Sequence, residues 1–165
     1  MRASSRRILL LALGNDILGD DGVGLAAARI LRREFQEDVE IVESSEAGLA
    51  LLELLEGYER ALLLDAVVTG SSPPGTVLEF SPEDFQKILA PSPHYAGLPE
   101  VLQMAQRLDM AFPKEIRILA LEVEDPFEFR EGLSPSVERA LPALVERARQ
   151  VLEGWRVKGL CTNTR

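Results

Sequence analysis

The chain has 165 residues, 46% hydrophobic and 27% charged, which suits a single soluble domain with a sizeable core. Its formal net charge of −9 argues against nucleic acid and against an anionic membrane surface as partners, since both would repel it. The single cysteine, Cys161, excludes an internal disulfide and any cysteine-rich zinc site.

Ser5-Arg6-Arg7 ahead of an apolar run superficially looks like an export signal, but the run stops at Leu13 and turns polar at Asn15, too early for a signal core. No stretch approaches the roughly 18 apolar residues of a membrane span. A cytoplasmic protein is expected. Ile8 to Leu13 is a continuous apolar run that predicts a buried strand, broken at Gly14-Asn15 and followed by an amphipathic run starting near Gly22. Val23, Ala27, Ile30, Leu31 and Phe35 recur at helical spacing. Val39 to Val42 predicts a second strand, Ala47 to Glu56 a leucine-rich helix closed by Gly57, and Ala61 to Leu64 a third strand ending at Asp65. Strands alternating with helices in this way predict a parallel sheet covered on both faces.

The connection VVTGSSPPG before the strand-like Thr76 to Phe80 is too short and too rich in Gly and Pro for a crossover helix. The fourth strand should therefore run antiparallel at an edge, making the sheet mixed. Ser81-Pro82 opens a short helix expected to run through Leu89, with Ser81 as its cap. The loop Ala90 to Gly97 carries the only histidine, His94. Leu98 to Met110 predicts a helix, Ile116 to Leu121 the last core strand, and Glu122 to Leu133 a long functional or packing loop. Ser134-Pro135 opens the final helix, in which Pro142 should remove one backbone bond and bend the axis. The pattern fades from Gly154, giving one domain over residues 1–154 and a C-terminal tail over 155–165. The fold class is α/β, a three-layer α/β/α sandwich around a mixed, mainly parallel five-stranded sheet.

Glycines 14, 19, 22 and 24 in the first loop invite a nucleotide reading, yet their spacing is not G-x-G-x-x-G and no Lys-Ser or Lys-Thr follows. The adjacent Asp20-Asp21 would repel a phosphate and compete for the same donors. One aspartate can cap the following helix, and a cation ligand is a reasonable role for the other. Ligands in such sheets gather beyond the carboxyl ends of strands, where Asp21, Asp65 and His94 are the prominent candidates. Two carboxylates and one imidazole would bind a divalent transition metal incompletely, leaving positions open. Asp16 and Asp20 are rivals for the first ligand, and Glu122 and Glu124 are possible extra acids. Asp65 as a turn residue and His94 as a plain surface histidine are the simpler alternatives. A nucleophilic hydrolase is poorly supported, because there is no G-x-S-x-G elbow and no histidine near Cys161 in sequence.

The runs GNDILGDDGVG, LLLDA, SPHYAGL and GLSPSVERALP, in this order and at fitting spacings, resemble the [NiFe]-hydrogenase maturation endopeptidases over nearly the whole chain. The resemblance implies a phosphorylase/hydrolase-like α/β/α sandwich and an endopeptidase that removes the C-terminal extension of the hydrogenase large-subunit precursor after nickel insertion. It implies that Asp21, Asp65 and His94 contact nickel carried by the substrate on cysteine thiolates, although another divalent metal can occupy such a site. Asp21 and Asp65 are then the catalytic candidates, and either a carboxylate or the metal activates the water. The loop Glu43-Ser44-Ser45-Glu46-Ala47-Gly48 departs from the family's glycine- and threonine-rich substrate-reading loop, keeping Gly48 but little else. Gly48 and Glu46 are the substrate-binding candidates. The expected partner is the precursor, with no nucleic acid and no membrane, and the protein is expected to be a monomer. A nickel-binding or delivery module without peptidase activity is the alternative.

Overall fold

The computed structural model describes residues 8–86, 94 and 98–161. Five strands, β1 (Ile8–Leu13), β2 (Val39–Ser44), β3 (Arg60–Val67), β4 (Val77–Phe80) and β5 (Glu115–Glu122), form one sheet in the order β2-β1-β3-β5-β4. All pairings are parallel except β4 on β5, which is antiparallel at the edge. This is the mixed sheet expected from the short β3–β4 connection, which has no room for a crossover.

The helices are α1 (Val23–Leu31), α2 (Ala50–Leu55), α3 (Leu98–Arg107) and α4 (Pro135–Cys161). Alternation along each central strand divides the core in two. Leu10, Ala12, Leu62, Leu64, Leu119 and Leu121 pack with residues of α1 and α4, whereas Leu9, Leu11, Ala61, Leu63, Ile118 and Ala120 pack with residues of α2 and α3. Since β1 and β3 are buried on both faces, they read as unbroken apolar runs.

Several boundaries differ from the sequence reading, among them β2, which runs to Ser44 rather than Val42, and α3, which ends at Arg107 rather than Met110. Strand β3 continues past Asp65 to Val67, because Ala66 and Val67 still pair with Leu121 and Glu122. Helix α2 starts only at Ala50, after a turn in which the Leu51 N–H bonds to the Gly48 carbonyl. Helix α4 runs through Gly154 to Cys161, beyond the point where the pattern fades. Trp155 explains the extension: it is buried in the α1/α4 core, and its carbonyl accepts a bond from Arg60 at 3.2 Å. Pro142 lies inside α4 without ending it. After Ser81, Pro82–Gln86 forms a 3₁₀ turn in which Asp84 accepts bonds from the Ser81 N–H and hydroxyl. The expected continuation to Leu89 and most of the loop Ala90 to Gly97 lie outside the described residues.

The strand order changes direction between β1 and β3. From β1 the chain moves outward to β2, and from β3 it moves the opposite way to β5. The carboxyl ends of this central pair are thus the switch point of the sheet, the place where open α/β sheets hold their ligands.

Candidate metal-contacting site

The loop that leaves β1 begins at this switch point. Gly14 lets it fold tightly, since a Cβ there would lie 2.2 Å from the Asp21 carbonyl oxygen. The Asn15 carbonyl accepts from the Leu18 N–H, and the Asn15 side chain accepts from the Ile17 N–H, which closes the turn. A short 3₁₀ segment, Gly19–Gly22, then presents Asp21 and leads into α1. At the first turn of α1, a Cβ on Gly24 would lie 2.7 Å from the Leu64 carbonyl oxygen and 3.2 Å from the Asp65 nitrogen. The absence of a side chain there brings the Asp21 loop hard against the strand residue that carries the second carboxylate.

Asp65 stands on β3 opposite Ala120 of β5, at an inward position that the flanking residues Leu63 and Val67 fill with apolar side chains. It is wholly buried, and the Ala66 N–H bonds to its Oδ1 at 2.8 Å. His94, 7% exposed, approaches from the later loop, and its Nδ1 lies 2.9 Å from the Glu46 carbonyl oxygen. A carbonyl only accepts, so Nδ1 carries the proton and Nε2 is the lone-pair nitrogen of the neutral ring. The Gly48 N–H donates to the His94 carbonyl at 3.4 Å. The substrate-binding candidates Glu46 and Gly48 therefore hold the histidine through their backbones.

Asp21, Asp65 and His94 converge: one ligand atom from each lies within 4.8 Å of the others, and all three residues are buried. Burial pushes the Asp21 carboxyl up from its ordinary value, while His94 and the Asn15 N–H pull it back.

The rival acids have other roles. Asp20 Oδ1 accepts the Ser134 N–H at 2.7 Å and Oδ2 the Ser134 hydroxyl at 2.8 Å, fastening the loop to the start of α4. Asp16 is exposed and paired with Arg29 at 2.7 Å. Neither Asp20 nor Asp21 caps the helix that follows it. Glu122, offered as an extra acid, is buried outside the cluster; its carboxylate accepts bonds from the Thr69 N–H and hydroxyl and from the Gly70 N–H at 2.8–3.1 Å. Glu124 is exposed. The fastening roles of Ser134 and Glu122 escaped the sequence reading because their partners lie 114 and 52–53 residues away, with no local pattern marking them.

The model of the hydrogenase maturation protease family matches residues 26–151. The chain belongs to this family. Among its relatives in the hydrogenase maturation protease group, the hydrogenase 2 maturation protease of Escherichia coli K12 is 30% identical over 158 residues, covering 93% of each chain. A hydrogenase expression/formation protein of Rhizobium leguminosarum bv. viciae is 28% identical, covering 92% of this chain and 76% of the relative. Among solved structures, the hydrogenase maturating endopeptidase HybD from E. coli superposes with a TM-score of 0.75 at 30% identity, covering 93% of this chain and 94% of that one. The [NiFe] hydrogenase maturation protease HybD from Thermococcus kodakarensis gives 0.67 at 30% identity, covering 88% and 98%. No helix among the described residues is long and apolar enough to cross a membrane.

Proposed function

We propose that this hydrogenase maturation protease removes the C-terminal extension of a [NiFe]-hydrogenase large-subunit precursor once nickel has been inserted, and that it reads the nickel itself as the sign of a finished substrate. The observation that carries this reading is the convergence of Asp21, Asp65 and His94, one ligand atom of each within 4.8 Å of the others. Atoms about 2.1 Å from a common ion lie at most roughly 4.2 Å apart, so a spread of 4.8 Å closes onto a metal with shifts of well under an ångström in each side chain.

Two carboxylate oxygens and one imidazole nitrogen make a weak, open set for nickel. Thiolates of the precursor would supply the softer ligands. The combined coordination exists only when a loaded precursor is in place, which makes cleavage conditional on metal delivery. The Glu46 carbonyl fixes the ring that faces the metal, as partners behind a ligating histidine do. Asp21, whose carboxyl burial raises, is the candidate general base among the three side chains. Water activation by nickel is the other route to the same product. The backbone contacts of Glu46 and Gly48 with His94 support a part for this loop in contacting the precursor.

The test is a cleavage assay on nickel-loaded and nickel-free precursor with the parent and with Asp21→Asn, Asp65→Asn and His94→Ala. Loss of the extension from the loaded precursor alone, abolished in the variants, is the expected result. Equal trimming of empty precursor would defeat the reading. Nickel binding with no cleavage would favour a delivery module.

A further inference from the structure

The loop after β5 carries a feature that the chemistry of the three ligands does not use. Phe127 is 67% exposed and Phe129 81%, whereas the buried apolar side chains gather in two cores. Scattered exposed leucines need no explanation, but two solvated phenyl rings within three residues do. The segment is fastened rather than loose. The Phe127 N–H bonds to Asp125 Oδ1, the Arg130 N–H to the Ile17 carbonyl at 3.1 Å, and the Gly19 N–H to the Arg130 carbonyl at 2.9 Å. Leu18 and Arg130 form a short parallel bridge. The two phenylalanines are thus carried by the same backbone ladder that holds the residues immediately before Asp21, and the exposed Ile17 lies on its other strand.

We propose that Ile17, Phe127 and Phe129 form a docking ridge on which the precursor protein seats, and that the surface they meet is apolar and bordered by basic side chains. This rests on the proteolytic reading above. Charge selects the occupant. From Glu124 to Glu131 the chain places four acids, Glu124, Asp125, Glu128 and Glu131, against the one base, Arg130. All of these are exposed. A second copy of this chain would bring the same acids and its own net charge of −9 to the contact, and an anionic lipid surface would be repelled for the same reason. A protein partner with apolar and cationic character is attracted, and aromatic anchors with a charged rim are the usual composition of a binding hot spot.

The test uses the full chain and a nickel-loaded precursor, with binding followed by titration and cleavage followed separately. Phe127→Ser/Phe129→Ser should weaken binding and raise KM by about ten-fold or more while kcat stays within about two-fold. Leu108→Ser, an exposed apolar side chain just beyond α3, is the control and should change neither. Glu128→Lys/Glu131→Lys should weaken binding at low salt and lose most of that effect at about 0.5 M salt, where surface charges are screened. If the parent cleaves the precursor and the phenylalanine variant binds it with parental affinity, the ridge is refuted and the protease reading stands. If the phenylalanine variant instead abolishes self-association of the parent, the occupant is a second copy and the proposal fails. If the parent neither binds nor cleaves loaded precursor, both readings fall together.

Discussion

The Nδ1 atom of His94 faces the carbonyl oxygen of Glu46 at 2.9 Å, and this contact joins the loop after β2 to the candidate metal site. Gly48 adds a second tie through its N–H, and it does so at φ +59°, a left-handed conformation that costs an alanine about 1 kcal/mol or more. Gly48→Ala is expected to displace the loop, loosen His94 and lower both nickel affinity and cleavage by roughly ten-fold. Titration with nickel alone separates this from loss of precursor contact.

The three converging side chains should behave as one unit. Asp21→Asn, Asp65→Asn and His94→Ala are each expected to slow cleavage by at least about 100-fold, and a double variant should be little slower than a single one. Single-turnover rates on loaded precursor are the measurement. Strictly additive losses would mean that the groups act separately.

Asp20 and Asp21 are neighbours with different fates. Asp20→Ala removes both acceptors of Ser134 and should cost about 1–2 kcal/mol of stability, comparable to loss of a helix cap. Its nickel affinity should remain within a few-fold of the parent. Chemical denaturation and metal titration on the two variants give the comparison, and a large loss of metal binding in Asp20→Ala would return Asp20 to the ligand set.

Burial raises the Asp21 carboxyl, and the sign of its effect on stability follows. The folded state holds this proton more tightly than the unfolded chain, so the contribution is fully present below the unfolded value and is lost as pH rises through the folded one. Asp21→Asn has no such charge to bury. Its melting temperature relative to the parent should therefore increase as pH rises from about 4, the ordinary carboxylate value, through the raised one in the absence of metal. Nickel should bind the parent more weakly as pH falls through the raised value, because proton and metal compete for the same oxygens. A constant difference between the two proteins across this range would contradict the burial argument.

Gly24 is where helix packing and site geometry meet. Gly24→Ala places a methyl group 2.7 Å from the Leu64 carbonyl oxygen, against the backbone of the Leu64–Asp65 peptide. A cost of about 1–3 kcal/mol is expected, together with reduced cleavage as the Asp21 loop is pushed away from Asp65. Urea unfolding and the cleavage rate should change together.

Much of the fold was legible in the sequence because it depends on local periodicity. Six apolar residues without alternation could only suit a strand buried on both faces, and the β3–β4 connection was too short to return a parallel strand. The ligand trio was also visible as residue types at strand ends and in one loop. Boundaries were less so: Asp65 was assigned to a strand end although β3 continues, because hydrogen bonding to β5 outlasts the apolar run. The C-terminal turns of α4 lose the apolar periodicity in sequence, yet burial of Trp155 and the bond from Arg60 hold them.

The sequence by itself therefore determined the layers of this protein, its mixed sheet and the short roster of acids and imidazole from which a metal contact could be built, since each follows from residue type and near-neighbour spacing. Residue type and spacing left the members of that roster undivided, the family resemblance singled out three of them, and the tertiary structure supplied the physical choice. It sent Asp20 to Ser134, Asp16 to Arg29 and Glu122 to Thr69, and it brought Asp21, Asp65 and His94 together. The physical reason is that a carboxylate goes where donors and space permit, and those are supplied by segments far away in the chain. The same holds for Phe127 and Phe129, whose exposure could not be known until the strand from Ile17 was seen to anchor their loop at the surface.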